Sequence, residues 1–538
     1  MDYIFPLLLK RMGYRVLITP KQSKGMSQYG RDVVAVKDVK GVNTLFLFEL
    51  KGFAAKDITD RTLNEKDGII ESLRASKNTK YRDASISGLS KCRRQYVFVH
   101  NGYAEANALI TLNDFVEDEF PDGNFDRWDL DKLTTLFSDY LFDETLLADE
   151  ESYRLFKKVL VLLDAEGNDF TDMASLINLQ IAKIEAKKDN NQRAILNFFA
   201  TLRLIASMVY YYAKDADNLY PAKMCIDTIV LKTWAWVLKG KREKKPTIIK
   251  HFNSLVLLQM QIYEEYVTKI LRFANIPKGL YGYQASDTEQ ILYPLRCYDF
   301  LGDLVYYYNL TEAYYKLQKT DVRNRMDVLK AIIKNNNAST VPLLDTHSIP
   351  ILLLFRYMSL HCQNKEDYEL MADYVLDTVI NLGKRYTKTG MWPEMSGNRM
   401  VLAKSLYKKS DDYNSSSSLL LMVVFELISY LNYHSLYTVF RKMVFESGVN
   451  LQVAYPNHEE VDVEQLLFEH RLNEEVSVET NLKLPETLEE FQKTFKKKYQ
   501  SIKYRTDAVN YGFLRMLAHK FYETDMFPDF LGRAYCEE

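Results

Sequence analysis

The chain has 538 residues, enough for about two to four domains and for a core that needs neither disulfides nor a structural metal. Lys and Arg total 70 against 72 Asp and Glu, a net charge of −2, which excludes a globally basic nucleic-acid coat and an acidic disordered tail. The 47% apolar content excludes a disordered chain, and five scattered cysteines (Cys92, Cys225, Cys297, Cys362, Cys536) without a CxxC pair argue against a disulfide scaffold or a Cys-rich zinc site.

The first stretch, residues 3–12, has the spacing of an amphipathic helix, with no basic region before its short apolar run; it does not read as a signal peptide. Three β-like runs follow at 14–20, 32–39 and 44–51, the last two joined as a hairpin through Lys40-Gly41-Val42-Asn43. A helical pattern over about 65–77 and a further strand at 95–100 complete the order α-β-β-β-α-β. Residues 1–110 hold 19 Lys and Arg and 11 Asp and Glu, whereas 111–151 hold 2 and 14. That swing marks a basic module followed by an acidic connecting segment, which is either a solvated face or a competitor for the basic surface.

Beyond residue 150 the pattern is helical, over 152–164, 173–187, 192–213, 223–239, 247–274 and 289–318, then 349–361, 366–384, 417–446, 486–501 and 507–523. Loop signals separate these segments at 275–287, 334–347, 388–397 and 447–463. Tyrosine triplets at 210–212 and 306–308 hint at related helix pairs but set no fixed period, so a repeat-like arrangement stays open. Ser415–Ser418 read as the cap of the apolar helix that follows, and Asp345 and His347 as a loop and local helix cap. The longest apolar run, 419–425, stops at Glu426, far short of the roughly 20 residues of a membrane span. A cytoplasmic protein with no membrane partner is the expectation.

The hairpin carries the chemistry. Glu49 and Lys51 are two apart on one strand and so face the same way, and pairing can bring Asp32 beside them. Two converging carboxylates suit a hard divalent cation, and a neighbouring lysine suits the charge that grows on a phosphate under attack. Charged residues inside the otherwise apolar run TLFLFELKG need a reason to be there.

The ordered set Gly13-Tyr14-Arg15-Val16, Gly30-Arg31-Asp32-Val33-Val34-Ala35 and Phe48-Glu49-Leu50-Lys51-Gly52 resembles the restriction-endonuclease-like PD-(D/E)xK nuclease superfamily, nearest to its Mrr-type members. Residues 96–102 and 104–108 resemble that family's fourth strand and next helix, and Trp128-Asp129 with Leu133 resembles a terminal element of related nucleases. The resemblance covers residues 1 to about 140. It implies an α/β restriction-endonuclease-like domain; joined to the helical pattern beyond it, the chain reads as that domain fused to a large all-α, repeat-like or irregular region, with boundaries at 1–112, 113–150 and 151–538 and subdivisions near 275–290 and 447–485.

It also implies Asp32, Glu49 and the Leu50 carbonyl as ligands of Mg²⁺ (or Mn²⁺), Lys51 as the catalytic lysine, and hydrolysis of phosphodiesters in DNA rather than RNA. The family's first-helix glutamate is missing; only Asp2 stands there, and it reads as a helix cap. Gln28, Lys77, Lys80 and Arg82 are candidates for nucleic-acid contact, against the plainer readings of loop polarity and a solvated face. Bacterial proteins of similar layout serve in restriction or antiphage defence, with the helical part as sensor or regulator. No GxxxxGK[ST] loop is present, so an ATP requirement would fall to a separate ATPase partner; self-assembly into a homo-oligomer is the other expectation. A non-catalytic nucleic-acid-binding adaptor, or a regulatory subunit of a larger ATPase–nuclease complex, is the alternative.

Overall fold

A computed structural model describes residues 4–19, 31–52, 57–66, 68–79, 81, 89–100, 103–140, 150–163, 170–187, 191–282, 288–405, 409–451, 455–456, 461–472, 478–479, 484–499 and 504–524. The chain divides into two units, Met1–Arg154 and Leu155–Glu538. The first is α/β and the second is helical.

The first unit runs α1 (Ile4–Arg11), β1 (Arg15–Ile18), β2 (Val33–Val39), β3 (Val42–Lys51), β4 (Asp57–Ile58), α2 (Asp60–Asn64), α3 (Ile69–Asn78), β5 (Arg93–His100), β6 (Tyr103–Ala104), α4 (Ala106–Glu119), β7 (Phe125–Trp128) and α5 (Leu130–Tyr140). Five strands form one mixed sheet in the order β1-β2-β3-β5-β7, while β4 and β6 pair separately. β1, β2 and β3 are antiparallel neighbours, and β3, β5 and β7 run parallel. Alternate side chains of the strands divide between two cores. Val34, Leu45, Leu47, Tyr96 and Phe98 pack with Leu63, Leu73 and Leu112 of α2, α3 and α4. Val33, Ala35, Phe46, Phe48, Val97 and Val99 pack with Phe5 and Leu8 of α1 and Leu133 of α5. Helices therefore cover both faces of the sheet, and every central strand is apolar on both sides.

The hairpin turn is tighter than the four residues that the sequence suggests. Only Lys40 and Gly41 lie outside the ladder, both at positive φ (53° and 82°), while Val42 and Asn43 pair with Val39 and Asp38. Two consecutive left-handed residues give the turn whose twist matches that of the strands, and Asp38 steadies it by accepting the Gly41 N–H at 2.8 Å. The helix expected over 65–77 is α3, which begins later, at Ile69, and a short helix, α2, that the sequence reading lacks precedes it. The chain turns sharply between them at Gly68, where a Cβ would lie 2.6 Å from the Glu65 carbonyl oxygen.

The helical unit takes up the chain within α6 (Glu150–Val161) and continues through α7 (Thr171–Glu185), α8 (Gln192–Asp215), α9 (Tyr220–Lys239), α10 (Pro246–Ala274), α11 (Glu289–Tyr314), α12 (Lys319–Asn335), α13 (Ser348–His361), α14 (Lys365–Thr389), α15 (Arg399–Lys404), α16 (Leu419–Tyr430), α17 (His434–Ser447), α18 (Val463–Phe468), α19 (Leu488–Tyr499), α20 (Arg505–Ala508) and α21 (Phe513–Phe521). Helix α9 is buried nearly all round, with α7, α8, α10, α18 and α21 against it. Its Trp234 indole donates to the Thr506 hydroxyl at 3.0 Å, tying the late α20 to the early core. The return of α21 onto α9, α11 and α13 is a long-range closure that a stack of nearest-neighbour repeats does not make.

The segment read as one helix over 417–446 is two, broken at Asn432, which adopts φ 57°. Asparagine tolerates that left-handed conformation better than most residues. Helix α12 is absent from the sequence reading although Met326, Leu329, Ile332 and Ile333 give it a buried stripe. Among the described residues α8 alone is long and apolar enough to cross a membrane, and half of that apolar window is buried in the unit. Arg242, within the basic stretch 239–245, is buried: it donates to the Trp236 carbonyl at 2.7 Å and lies over that indole ring.

Candidate functional site

Strand alternation puts Asp32, Glu49, Lys51 and His100 on one face of the sheet. Each shares the parity of the residues that pack beneath α3, namely Val34, Leu47 and Phe98. The antiparallel register pairs Val33 with Phe48, which sets Asp32 opposite Glu49. The parallel register pairs Glu49 with Phe98 and Lys51 with His100. The group therefore lies at the carboxyl ends of β3 and β5, the edge where open α/β sheets bind their ligands.

Short contacts fix the geometry. The Asp32 N–H donates to the Phe48 carbonyl at 2.9 Å, and the Asp32 carboxylate accepts the Leu50 N–H at 2.7 Å. Leu50 thus meets Asp32 through its amide. Lys51 Nζ lies 3.1 Å from Glu49 Oε1 and donates to the Ser72 hydroxyl at 3.4 Å. Ser72 stands on α3 and also hydrogen-bonds the Glu49 carboxylate. One helical hydroxyl therefore holds both the acid and the amine of the Glu-x-Lys pair.

Glu49 is 5% exposed. Burial pushes its carboxyl above the usual range and the nearby Asp32 charge adds to that; Lys51 and Ser72 pull it back in part. Two carboxylates and one ammonium meet in a half-dry place, where burial disfavours the Glu49 charge. That is an environment a cation relieves. Among the described residues no three His, Cys, Asp or Glu side chains gather to hold an ion. Two carboxylates still match Mg²⁺, which keeps several waters and commonly takes only one or two protein carboxylates beside substrate phosphate.

His100 and Asp129 adjoin this edge. His100 is buried and stacks on Phe98 with ring centroids 4.9 Å apart. Asp129 follows β7, where its carboxylate accepts the Lys132 N–H at 3.0 Å and lies 3.2 Å from Arg127. Burial pushes the Asp129 carboxyl up, but Lys132, Arg127 and His100 outweigh it and hold it below the usual range.

The other candidates are not brought to this cluster. Lys77 sits five residues beyond Ser72 on α3, about 7.5 Å along the axis. Its ammonium engages Glu119 at the end of α4 and lies over the Phe120 ring. Two further basic residues outside that set, Arg93 and Arg94, start β5, seven and six residues before His100, so they stand roughly 20 Å down the strand from the carboxylates. Gln28, Lys80, Arg82 and Asp2 lie outside the described residues. Ser72 escapes the sequence reading, because a serine in an amphipathic helix gives no signal until the register of that helix on the sheet is known. No protein-family model, no curated protein and no solved structure matches the chain.

Proposed function

We propose that the N-terminal unit is a divalent-metal-dependent nuclease that hydrolyses phosphodiester bonds in DNA, on a restriction-endonuclease-like variant of the α/β fold. The observation that carries this reading is the convergence of Asp32, Glu49 and Lys51 on one face at the carboxyl edge of the sheet, with Glu49 buried as an under-neutralised acid. Asp32 and Glu49 would hold Mg²⁺ or Mn²⁺, which supplies polarisation of a phosphate oxygen and a more acidic bound water. Lys51 directs an ammonium at the negative charge that grows on the phosphate. The Leu50 amide orients Asp32, and Ser72 steadies Lys51 and Glu49.

The test incubates the full chain with supercoiled plasmid, single-stranded DNA and RNA, in Mg²⁺, Mn²⁺ or EDTA. Plasmid cleavage in either metal, abolished by EDTA and lowered about 100-fold or more by Lys51→Ala, is the expected result. Intact nucleic acid in every metal condition would overturn the reading. Ser72→Ala is expected to lower kcat by about fivefold to tenfold, the effect of losing one net hydrogen bond of about 1 kcal/mol, with KM for DNA unchanged. Steady-state kinetics checks this, and Ser72→Thr should restore the rate because it keeps the hydroxyl.

A further inference from the structure

The outer face of α14 is ordered in a way that packing within the helical unit does not use. At about 100° per residue, Asp373, Leu376, Asp377, Ile380, Lys384 and Lys388 fall on one stripe about 120° wide. All six are exposed, whereas Val375, Val379 and Leu382 on the other side of the helix are buried. Leu376 and Ile380 are each 39% exposed, an apolar pair set among charges.

Helix α17 runs beside α14 in the same direction. Tyr368, early in α14, donates to the Leu431 carbonyl just before α17 at 3.2 Å, and a Cβ on Gly383 would lie 3.1 Å from Met443 Cε. Val439, one turn before Met443, therefore stands about level with Ile380, and it is 66% exposed. The exposed apolar strip spans both helices at the middle of the stripe.

Charge is sorted along the same stripe. Asp373 and Asp377 lie one turn apart before Ile380, and Lys384 and Lys388 lie one turn apart after it. Like charges four residues apart repel, so neither pair helps its own helix. The helix dipole acts on the first and last turns, and Asp373, Asp377 and Lys384 stand further in. The nearby ion pairs join other residues, Lys365 with Glu369 and Lys442 with Glu446. Among the described residues none of the four stripe charges has an ion-pair partner.

The order acid, apolar, base is complementary to itself when reversed. A second copy of α14, laid antiparallel across a two-fold axis between positions 380 and 381, sets Asp377 opposite the partner's Lys384 and Asp373 opposite the partner's Lys388. Symmetry repeats both pairs, and the two Ile380 side chains come together at the axis. We propose that this stripe is a self-association surface, through which two copies of the chain form a two-fold dimer with their α14 helices antiparallel. The apolar centre is small, which places the dimer among the weaker specific assemblies. Nothing in this assignment depends on the nuclease reading.

Sedimentation velocity of the full chain between about 1 and 100 µM tests it. The wild type is expected to pass from monomer to dimer over that range, with a Kd of about 10 µM. Asp377→Lys and Lys384→Asp each set like charges opposite one another twice per dimer, and each is expected to weaken association about tenfold or more. Mixing those two variants is the decisive arm. One then carries lysine at both positions and the other aspartate at both, so opposite charges face again and the equimolar mixture is expected to dimerise about as tightly as the wild type. Damage to the fold of either variant would not be repaired by mixing. Ile380→Asp, which puts two carboxylates at the axis, is expected to keep the chain monomeric to about 100 µM. A wild type that stays monomeric at 100 µM, single variants that associate like the wild type, or a mixture no more associated than its components would each overturn the proposal.

Discussion

Replacing Glu49 with glutamine is expected to abolish metal-dependent cleavage while leaving the metal-free protein as stable as the wild type, or more so. The two effects have one cause. Glu49 is an acid in a place that disfavours its charge, first through burial and then through Asp32, and Lys51 and Ser72 compensate only in part. Its native pKa is therefore raised above its ordinary value of 4.5. A raised native value means that the stabilising contribution of the group is fully present below the unfolded pKa and is lost as pH rises through the native pKa. At neutral pH the carboxylate is a liability to the fold that a glutamine does not share.

The difference in Tm between Glu49→Gln and wild type, without metal, should thus widen in favour of the variant from about pH 4 to about pH 8. Mg²⁺ should reverse the order, because it rewards the charged form: it should raise the Tm of the wild type and leave that of the variant unmoved. Removing one of the two carboxylates proposed to hold the metal is expected to forfeit several kcal/mol of transition-state stabilisation, a fall in rate of about 10³-fold or more. Thermal melts across pH, with and without Mg²⁺, and plasmid nicking provide the check. An equal Mg²⁺-induced rise in both proteins, or a metal-free variant less stable by more than about 1 kcal/mol, would remove Glu49 from the role given to it.

The convergence of Asp32, Glu49 and Lys51 is legible in the sequence because strand chemistry is local. Side chains alternate with period two, and a two-residue turn at Lys40-Gly41 locks the register that sets Asp32 opposite Glu49. What depends on packing between elements is not legible. Ser72 gains its meaning only when α3 docks on β3, and the separation of Arg93 from the carboxylates only when β5 is seen to run parallel to β3. The same distinction explains the helical unit. Ser418 is the cap that its sequence suggests, accepting the Leu421 N–H at 3.1 Å. Asp345, which reads as a cap for its own neighbourhood, instead caps a helix more than 70 residues away. The break at Asn432 is hidden because apolar spacing continues across it, and backbone conformation leaves no mark on that pattern.

That distant cap predicts the largest stability effect in the helical unit: Asp345→Ala is expected to destabilise it by about 3–5 kcal/mol. Helix α16, LLLMVVFELISY, is buried from Leu419 to Ser429, and it packs against α13 and α14. The first N–H groups of any helix have no partner within it, and at a buried end no water replaces one. Here the Asp345 carboxylate accepts the Leu419 N–H at 2.9 Å, the Leu420 N–H at 3.1 Å and the Ser418 hydroxyl. A negative charge at that end also complements the helix dipole. Alanine would orphan two amides and a hydroxyl at once, each costing about 1–3 kcal/mol when buried without a partner.

Asp345→Asn keeps one acceptor oxygen and should lose about 1–2 kcal/mol, and Ser418→Ala, which removes the local cap alone, about 1 kcal/mol. Urea unfolding followed by tryptophan fluorescence reads the helical unit, which contains Trp234, Trp236 and Trp392. The midpoint should fall in the order Ser418→Ala, Asp345→Asn, Asp345→Ala, with the slope unchanged if stability alone has moved. Were Asp345→Ala to unfold within about 1 kcal/mol of wild type, the buried end of α16 would have to find its partners elsewhere, and the reach of Asp345 across the fold would be incidental to it.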